Sequence, residues 1–331
     1  MTLCLRRRHV LGLAGSALLS VTGVHAGTFP GRPLSMIVPY PAGGPADAQA
    51  RQLEPPMRDA LGQPLVVDNV GGASGSIGIH KLLSAPPDGY TMLLGTPSEV
   101  ILAPLALSAV KHTPEQLRLI GVTGHSPMIL VGSQHLGPQS LEQLAARARD
   151  SQRPSLTYGS IGPGSLHHLI LEDLASHWGV VMTHVPYKGV APMVQDLMGG
   201  HLDLSILPSA GNVVDLITQG KLRAYAVADT RRLQQLAQVP TFAEAAGPGF
   251  RDFTYEIWGG MFVDRRIQLE HALRLNAALN AALMDVEFQQ AQLAAGSVPG
   301  VAMSLGEAER VLTEQTARFR SIAQKINLRP Q

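Results

Sequence analysis

Two glycine-rich stretches, more than a hundred residues apart, contain residue types that can bind a small anion. The first covers residues 38–47 and reads Val-Pro-Tyr-Pro-Ala-Gly-Gly-Pro-Ala-Asp, between a short apolar run and a run that can form a helix. Gly43 and Gly44 permit a close backbone approach, and Pro45 suits the first position of a helix. The first free amides of that helix would point at a carboxylate or a phosphate. A turn without any ligand would use the same residues, so this stretch alone leaves both interpretations open.

The second stretch, residues 158–168, reads Tyr-Gly-Ser-Ile-Gly-Pro-Gly-Ser-Leu-His-His and also follows a strand-like run. The segment after it predicts an amphipathic helix whose apolar face comprises Leu166, Leu169, Ile170, Leu174 and Trp178. Ser165 is a good N-cap for this helix, and that role is compatible with ligand binding. If the two stretches face each other, their backbone amides can enclose a small acid.

The hydroxyl and imidazole groups of the second stretch raise the alternative of an exported hydrolase, with Ser160 or Ser165 as nucleophile and His168 as base. Against it, the stretch lacks the Gly-x-Ser-x-Gly pattern of a nucleophile elbow. His168 would also lie one turn after Ser165 on the same helix, a geometry suited to packing. A nicotinamide dehydrogenase is less consistent still, because Gly162 and Gly164 lack the third glycine of the dinucleotide fingerprint. We therefore predict no catalytic residue and no cofactor.

The same stretch does not predict a metal site. His167 and His168 are adjacent, so on a helix they point in different directions, and no further ligands can be placed beside them. We therefore predict that no metal is bound.

The first 26 residues have the pattern of an export signal. Arg6, Arg7 and Arg8 precede a largely apolar run at 10–24, and short residues end at Ala26, where we expect cleavage. The paired arginines fit a twin-arginine signal as well as an ordinary secretory one. The apolar run is too short and too interrupted by glycine for a membrane span. We therefore expect a periplasmic protein.

Charge and length limit the function of the mature chain. The whole sequence has 26 basic and 25 acidic side chains, and removal of residues 1–26 takes away three arginines and no acid. The mature chain therefore has no excess of basic side chains, so we expect no nucleic-acid partner. Removal also takes away Cys4, the single cysteine, so no disulfide is expected. About 305 residues remain, more than one core usually organises, which points to two domains.

Short apolar runs alternate with helical runs along the chain, which predicts βαβ units and a parallel sheet. We expect strands at 34–38, 65–67, 91–94, 117–122, 128–131, 155–158, 181–185, 202–206, 224–227 and 256–263. We expect helices at 140–149, 165–178 and 191–198, and one long helix with Ala272, Leu275, Leu279, Leu283 and Val286 on its buried face. A last helix starts at a capping box of Ser304 and Glu307 and carries Val311, Leu312, Phe319, Ile322 and Ile326 as its apolar face. Pro55 and Pro56 should break or kink the first helix after Glu54.

The pattern restarts after Gly124 and returns to the first domain near residue 230. We therefore predict a first domain of residues 27–124 and 230–331, with a second domain of residues 125–229 inserted in it. Two crossings between the domains imply a hinge, and a cleft between them would hold a ligand.

Six motifs occur in one order along most of the chain. They are Pro-Tyr-Pro-Ala-Gly-Gly-Pro-Ala-Asp at 39–47, Leu-Gly-Gln-Pro-Leu-Val-Val-Asp-Asn at 61–69, Pro-Asp-Gly-Tyr-Thr-Met-Leu-Leu-Gly at 87–95, His-Val-Pro-Tyr-Lys-Gly at 184–189, Gly-Lys-Leu-Arg-Ala at 220–224 and Val-Pro-Thr-Phe-Ala-Glu-Ala at 239–245. In this order they resemble the tripartite tricarboxylate transporter receptor family, the Bug or TctC-type periplasmic binding proteins.

The resemblance implies an α/β, bilobal periplasmic-binding-protein fold of type II-like architecture, which closes on a small organic acid as a monomer. It implies delivery of that solute to membrane permease subunits of a tripartite tricarboxylate transporter, and delivery to a sensor kinase is the alternative. The residues that it assigns to the ligand are Tyr40, Pro41, Ala42, Gly43, Gly44 and Asp47 in one loop, and Ser160, Gly162, Gly164, Ser165 and His168 in the other.

Two positions depart from the family pattern. Ala46 stands where family members often have a hydroxyl residue, and residues 206–208 are apolar where a polar residue commonly faces the cleft. Both changes predict a less polar solute than citrate, such as a monocarboxylate or an aromatic acid.

Overall fold

Ten strands of the described residues form one mixed sheet, and helices cover both of its faces. The computed structural model describes Met1 and residues 29–325, so residues 2–26 of the predicted signal peptide and Ile326 lie outside the described residues. The first part of the chain contains β1 (Leu34–Val38), α1 (Pro45–Leu61), β2 (Leu65–Asn69), α2 (Ser76–Ser84), β3 (Thr91–Gly95), α3 (Ala103–Ala106), β4 (Leu117–Ser133), α4 (Leu141–Arg149), β5 (Thr157–Ser160) and α5 (Leu166–Trp178). The second part contains β6 (Thr183–Pro186), α6 (Val190–Gly199), β7 (Leu204–Pro208), α7 (Val213–Thr218), β8 (Leu222–Val227), α8 (Phe242–Ala246), β9 (Glu256–Asp264), α9 (Leu269–Leu283), α10 (Val286–Ala294), β10 (Val298–Pro299) and α11 (Leu305–Lys325).

The sheet has the strand order β2-β1-β3-β9-β4-β7-β5-β6, and β8 and β10 also pair with β4. Strand β1 is parallel to β2 and β3, and β5 is parallel to β6 and β7. Strand β4 is antiparallel to β9 along its first part and to β7 and β8 along its last part. One long strand therefore joins two halves of the sheet, while the domain bounds at 124/125 and 229/230 stay a prediction.

Successive residues of β1 pack alternately into two hydrophobic layers, one on each face of the sheet. Met36 and Val38 of β1 face the layer that holds α1, α6 and α9, whereas Ile37 faces the layer that holds α2, α4 and α5. Burial on both faces is typical of parallel strands covered by helices. The carboxyl ends of β1, β3, β5 and β7 then bring the loops that follow them to one crevice.

The sheet corrects two of our expectations. It is mixed and not purely parallel, because the strands that connect its halves run antiparallel to their neighbours. The strands expected at 117–122 and 128–131 are one strand of 17 residues. Register shifts near Gly121 and Gly124 make its pairing with β9 irregular without ending it, so the glycine that we read as a boundary lies inside the strand.

The expected break at Pro55 and Pro56 was wrong, because α1 continues through both prolines to Leu61. Each proline removes a backbone donor from the helix interior. Leu53 and Met57, on either side of the pair, are completely buried in the core, and this packing holds the helix together across the missing bonds. Tertiary packing therefore overrides the local propensity.

The expected single helix through Val286 was also wrong. Helix α9 ends at Leu283, and Asp285 accepts a hydrogen bond from the Phe288 amide as the N-cap of α10. Val286 is 63% exposed and does not continue the buried face of α9. Asp285 is an N-cap signal that the apolar spacing alone does not reveal.

Other helix boundaries confirm the sequence patterns. Ser165 caps α5 by accepting from the His168 amide, and Gly179 ends that helix in the left-handed conformation. Ser140 caps α4 in the same way, and Ser304 and Glu307 form the expected capping box before α11. Within residues 29–325, no helix is long and apolar enough to cross a bilayer.

Candidate functional site

A cavity lies where the loops after β1, β3, β5 and β7 meet. The cavity has a volume of about 90 Å³, which is room for a small molecule. Its lining consists of Tyr40, Pro41, Gly44, Pro45, Ala46, Ala48, Gln49, Gln52, Leu94, Gly95, Thr96, Gly124, Ser126, Ile161, His167, Val190, Pro208, Ala210, Gly211, Ile257, Trp258, Gly259, Gln292 and Ser297. A crevice at the carboxyl ends of the strands is where open α/β sheets bind ligands.

The loop between β1 and α1 directs backbone donors toward this cavity. Pro45 occupies the first helical position and has no N–H, while the Ala48 amide donates to the Gly44 carbonyl at 3.0 Å. The amides of Ala46 and Asp47 are therefore the first-turn donors without an intrahelical acceptor. Since Ala46 lines the cavity, the positive end of the helix dipole faces it.

Asp47 holds this loop in shape. Its Oδ2 accepts from the Gly43 amide at 2.9 Å and from Arg51 Nε at 3.1 Å. Burial opposes ionisation of Asp47, but the hydrogen bonds from Arg51 and Gly43 outweigh it and lower the pKa of the carboxyl group. Gly43 has φ +83°, which only glycine adopts easily, whereas Gly44 is extended at φ −88°.

Glu99, a buried acid that the sequence does not single out, supports the same loop from the side away from the cavity. The Tyr40 hydroxyl donates to Glu99, and the Thr96 hydroxyl donates to Glu99 Oε2 at 2.7 Å. Glu99 is fully buried, and burial raises its pKa to about 7 against the opposing effect of these hydrogen bonds. Tyr40 and Thr96 line the cavity, so Glu99 positions two of its walls.

The loop between β5 and α5 uses most of its polar groups internally. Ser165 Oγ donates to the Gly162 carbonyl at 2.7 Å and accepts from the His168 amide. The Gly164 amide donates to His168 Nδ1 at 3.0 Å, and the Leu166 amide donates to Ser98 Oγ at 3.3 Å. Few backbone donors of this loop are left for an anion.

Ser160 contacts a histidine that the sequence does not connect with it. Its Oγ lies 2.7 Å from His184 Nε2 and 3.0 Å from the Gly162 carbonyl. His184 stacks against His168 at 4.4 Å, and burial together with His168 lowers the pKa of His184 to about 4. Ser160 is completely buried and does not line the cavity, so this pair stabilises the turn from within.

Two cavity residues have buried polar atoms without hydrogen-bond partners among the described residues. Both ring nitrogens of His167 and the indole Nε1 of Trp258 are unpaired. His167 is 1% exposed and Trp258 is 6% exposed. Burial lowers the pKa of His167 to about 4, so its ring is neutral at pH 7 and has one donor and one acceptor to offer. Unpaired buried polar atoms are costly, and a ligand in the cavity can satisfy them.

A chain of side-chain amides forms another wall. Thr123 Oγ1 donates to Gln49 Oε1 at 3.1 Å, Gln49 Nε2 donates to Gln292 Oε1 at 3.1 Å, and Gln292 donates in turn to Gln52. Gln49 and Gln52 lie three residues apart on α1, a spacing that the sequence shows. Gln292 lies on α10 and is brought to them only by the fold, so no sequence signal identifies it.

Residues 49–328 match the family model described as tripartite tricarboxylate transporter family receptor. The chain belongs to this receptor family. Protein BugT of Bordetella pertussis is 35% identical over 288 residues, which cover 84% of this receptor and 85% of BugT. The motifs therefore predicted the family correctly.

Solved structures of relatives have the same fold as the receptor. The periplasmic binding protein BugD superposes with a TM-score of 0.85 at 30% identity, covering 92% of this chain and 100% of BugD. The structure of Rpa4515 from R. palustris with adipate gives a TM-score of 0.84 at 30% identity, with the same coverage. The predicted α/β periplasmic-binding-protein fold is confirmed.

The two halves of the receptor are in contact around the cavity. Ser74 Oγ donates to the Pro163 carbonyl at 3.3 Å. A Cβ added at Gly164 would lie 1.8 Å from Ala106 Cβ, and one added at Gly189 would lie 2.7 Å from Pro41 Cδ. These glycines let the β5–α5 and β6–α6 loops lie directly against the other half of the sheet.

The predicted ligand residues fall into three groups. Tyr40, Pro41 and Gly44 line the cavity. Ala42 and Gly43 are exposed, and Asp47 supports the loop. Ser160, Gly162, Gly164, Ser165 and His168 do not line it, whereas Ile161 and His167 of the same loop do. Ligand contact by all eleven predicted residues stays a prediction, and for the last group the cavity lining does not support it. In the part of the chain that the structure describes, no cluster of three or more potential metal ligands occurs.

Proposed function

We propose that the receptor captures a small carboxylate-bearing solute in this cavity and presents it to membrane permease subunits of a tripartite transporter. The observation that carries the proposal is the amino-terminal end of α1, where Ala46, with a first-turn amide free of an intrahelical acceptor, lines a cavity of small-molecule size. A relative that is 30% identical is described with adipate, a carboxylate.

The energetics of such a site are adequate without a cationic side chain. A hydrogen bond to a charged group contributes roughly 1.5–3 kcal/mol. Three or four of them, less the cost of ordering the ligand, reach the roughly 8 kcal/mol of a micromolar site. The candidate donors are the first-turn amides at the amino-terminal end of α1 and the unpaired ring nitrogens of His167 and Trp258. Together they can provide the three or four hydrogen bonds that such a site needs.

Binding without turnover fits the side chains better than hydrolysis. The Ser160 and His184 pair has the distance of a catalytic dyad. Its hydroxyl is nevertheless completely buried and outside the cavity, so a substrate in the cavity could not reach it. Saturable binding of a carboxylate with no product is the expected behaviour, and release of a product from an ester or amide panel would favour the hydrolase.

A thermal-shift screen tests the receptor proposal. Mature protein, refolded to remove co-purified ligand, is screened against mono-, di- and tricarboxylates, acidic amino acids and aromatic acids. A ligand at about a hundred times its dissociation constant adds roughly 2.7 kcal/mol to the free energy of unfolding, which raises the melting temperature measurably. A shift with one class of acid supports the proposal, and a flat screen contradicts it.

Export to the periplasm is part of the proposal. We expect the amino terminus of the protein from a periplasmic fraction to start at Gly27, which amino-terminal sequencing measures. Replacing Arg7 and Arg8 with lysine keeps the charge and should block export only if the twin-arginine route is used. Recovery of an uncleaved chain in the cytoplasm of the wild type would contradict the assignment of residues 1–26.

The partner is tested separately from binding. Deleting the permease genes should abolish uptake of the identified acid while leaving its affinity for the purified receptor unchanged. The alternative outcome is that uptake persists without the permease genes, while deletion of the receptor abolishes a transcriptional response to the acid. That pair of results would indicate delivery to a sensor kinase.

A further inference from the structure

The buried carboxyl group of Glu99 contacts two residues of the cavity lining. Glu99 belongs to the helical turn Ser98–Leu102 that follows β3, and it is completely buried. Its Oε1 accepts from the Thr96 amide, while its Oε2 accepts from the Thr96 hydroxyl at 2.7 Å and from the Tyr40 hydroxyl. Tyr40 and Thr96 both line the cavity. An ionised Glu99 can accept all three bonds, because a carboxylate is an acceptor only.

Protonation of Glu99 must reverse one of these bonds. The Thr96 amide can only donate and keeps Oε1 as its acceptor, so the proton belongs on Oε2, beside the two hydroxyls. The Thr96 oxygen already accepts from the Ser98 amide at 3.2 Å. The Tyr40 oxygen is the freer acceptor, since its one other contact among the described residues is the Thr96 hydroxyl, 3.4 Å away. A protonated Glu99 therefore donates to Tyr40 and releases the hydroxyl hydrogen of Tyr40.

The released hydrogen of Tyr40 is suited to a carboxylate in the cavity. The Thr96 oxygen at 3.4 Å lies beyond the usual O–H···O range of about 2.5–3.0 Å. A ligand carboxylate is a better acceptor, because a hydrogen bond to a charged group is stronger than a neutral one. Burial and the neighbouring Glu99 raise the pKa of Tyr40 well above its ordinary value, so its hydroxyl stays a donor near neutral pH.

The charge of a bound acid acts on Glu99 in the same direction. A carboxylate beside the wall of Tyr40 and Thr96 is a like charge for an ionised Glu99, and a like charge favours the protonated form. Burial already raises the pKa of Glu99 to about 7, so both forms of the free protein are populated near neutral pH. A bound acid should raise this pKa further, and binding should then take up a proton.

The titratable groups around Glu99 do not oppose this effect. His112 contacts the Glu99 backbone carbonyl at 2.9 Å, and burial lowers the pKa of its ring. Helix α5 packs against the same turn, and burial also lowers the pKa of His167 and His168 at its start. The charged or titratable side chains of α2 and α11, which pack against the turn as well, are exposed or half-buried; those of the described residues are His80, Lys81, Glu307, Glu309, Arg310, Glu314, Arg318 and Arg320.

We propose that Glu99 is a positioning residue that couples binding to protonation: as an acid binds in the cavity, one proton from solvent moves onto Glu99 Oε2 and turns the Tyr40 hydroxyl toward the acid. This inference rests on the proposed function, because it concerns the same cavity. The acid itself stays ionised, since the chain takes up the proton. We therefore expect the receptor to bind acids more tightly as the pH falls through neutrality.

Calorimetry in two buffers measures this proton. Adipate, malate and benzoate are the probes, and each is titrated into the ligand-free mature protein in phosphate and in Tris. The buffers differ in ionisation enthalpy, so the difference in heat gives the protons taken up per acid bound. With a pKa of about 7 for Glu99 in the free protein, we expect about 0.9 proton at pH 8. The affinity should fall roughly tenfold between about pH 7 and pH 8.5, where carboxylates of the probes remain ionised.

Each result decides the inference. Uptake of less than about 0.3 proton at about pH 8 by a probe that binds overturns it and leaves the receptor proposal intact. An affinity that does not change between about pH 7 and pH 8.5 overturns it as well. If none of the three probes binds, the inference is overturned, and the broader carboxylate screen decides separately whether the receptor proposal falls with it.

Glu99→Gln assigns the proton to this residue. Glutamine resembles the protonated acid, because its amide nitrogen can donate to the Tyr40 oxygen while its carbonyl accepts from Thr96. At about pH 8.5 the variant should bind the same probe roughly tenfold more tightly than the wild type and take up no proton. A merely structural role of Glu99 would instead weaken binding at every pH.

Glu142→Gln is the matched control. Glu142 is exposed on α4, so this change removes a carboxyl group outside the cavity and should leave the proton uptake of the wild type unchanged. Wild-type proton uptake in a folded Glu99→Gln protein overturns the assignment to Glu99. If Glu99→Gln does not fold, the titration of the wild type in two buffers still decides, because uptake below the stated value overturns the inference.

Discussion

Glu99 is a buried acid whose protonation state matters to the stability of the binding loop. Burial raises its pKa to about 7 from a normal value near 4.5. The folded protein therefore holds this proton more tightly than the unfolded chain does. The stability that the group contributes is fully present below about pH 4.5 and is lost as the pH rises through about 7.

Replacing Glu99 with glutamine should remove this pH dependence, since the amide keeps the shape and cannot ionise. Relative to Glu99→Gln, the free energy of unfolding of the wild type should fall by about 2–3 kcal/mol between roughly pH 5 and pH 8. Urea unfolding at a series of pH values measures it. Parallel pH profiles of the two proteins would show that Glu99 ionises in the folded state as readily as in water.

Gly44 tests the carboxylate position at the start of α1. Its backbone is extended, and a Cβ there would lie 3.8 Å from the Pro41 carbonyl oxygen and 3.9 Å from the Ala191 nitrogen, which is ordinary contact. Gly44→Ala should therefore fold and change the affinity for the identified acid only a few fold. Gly44→Leu fills the approach to the free amides and should weaken binding by more than about a hundredfold, or roughly 2.7 kcal/mol.

Calorimetry with the acid that the screen identifies measures both variants, and urea unfolding shows whether each one folds. Wild-type affinity in a folded Gly44→Leu protein would place the carboxylate elsewhere in the cavity.

At the level of single residues, the sequence predicted the parts of the site that local backbone rules determine. The glycines and Pro45 of the first loop indicate a turn that opens a helix, because their allowed conformations leave few alternatives. Glu99 could not be predicted, because it is one acid in an apolar run and its partner Tyr40 is 59 residues away. Gln292 and Trp258 were missed as site residues for the same reason, since only tertiary packing brings them to the cavity.

Helix α1 contributes both backbone donors and side-chain amides to the candidate site. Its first turn supplies the free amides, and its fifth and eighth residues are Gln49 and Gln52. The helix must therefore stay continuous through Pro55 and Pro56 to keep these groups in line with the core. Sequence rules failed at this point, because they weigh the missing hydrogen bonds and not the burial of Leu53 and Met57.

Replacing Pro55 with alanine should stabilise α1. Pro55 is exposed, so the change removes no buried contact and returns a backbone donor to the helix interior. We expect the free energy of unfolding to rise by about 1–2 kcal/mol, less than the full cost of an interior proline because proline also restricts the unfolded chain.

Pro45→Ala is the matched control for this experiment. Pro45 stands at the first helical position, where the missing donor has no acceptor to lose, so no gain is expected there. Urea unfolding without ligand measures both variants. A Pro55→Ala protein no more stable than Pro45→Ala would mean that the helix has relaxed fully around its prolines.

At the scale of the whole molecule, β4 is the strand that connects the two halves of the sheet. Its first part pairs with β9 and its last part with β7 and β8, and the irregular pairing lies near Gly124, which lines the cavity. We predict that a change of angle at this strand opens or closes the cavity, as in other proteins that close around a ligand. Ser74 and Ala106 contact the β5–α5 loop across the two halves, and we predict that this arrangement is the closed one.

Gly164→Ala tests whether this closed arrangement is the one that binds. A Cβ at this position would lie 1.8 Å from Ala106 Cβ, so the two halves could not meet as they do in the structure. We expect the affinity for the identified acid to fall by at least about tenfold, because the binding-competent state becomes rare. Gly164 also has φ +72°, so strain alone will lower the stability of the variant.

Gly220→Ala separates the two effects. Gly220 has φ +69° and nothing within 4 Å of an added Cβ, so the substitution brings the same backbone strain without a contact between the halves. Both variants should therefore lose similar stability in urea, by about 1 kcal/mol or more, while only Gly164→Ala should lose affinity in calorimetry. Equal affinities of the two variants would mean that the acid binds without the contact at Ala106, and that the halves close differently around it.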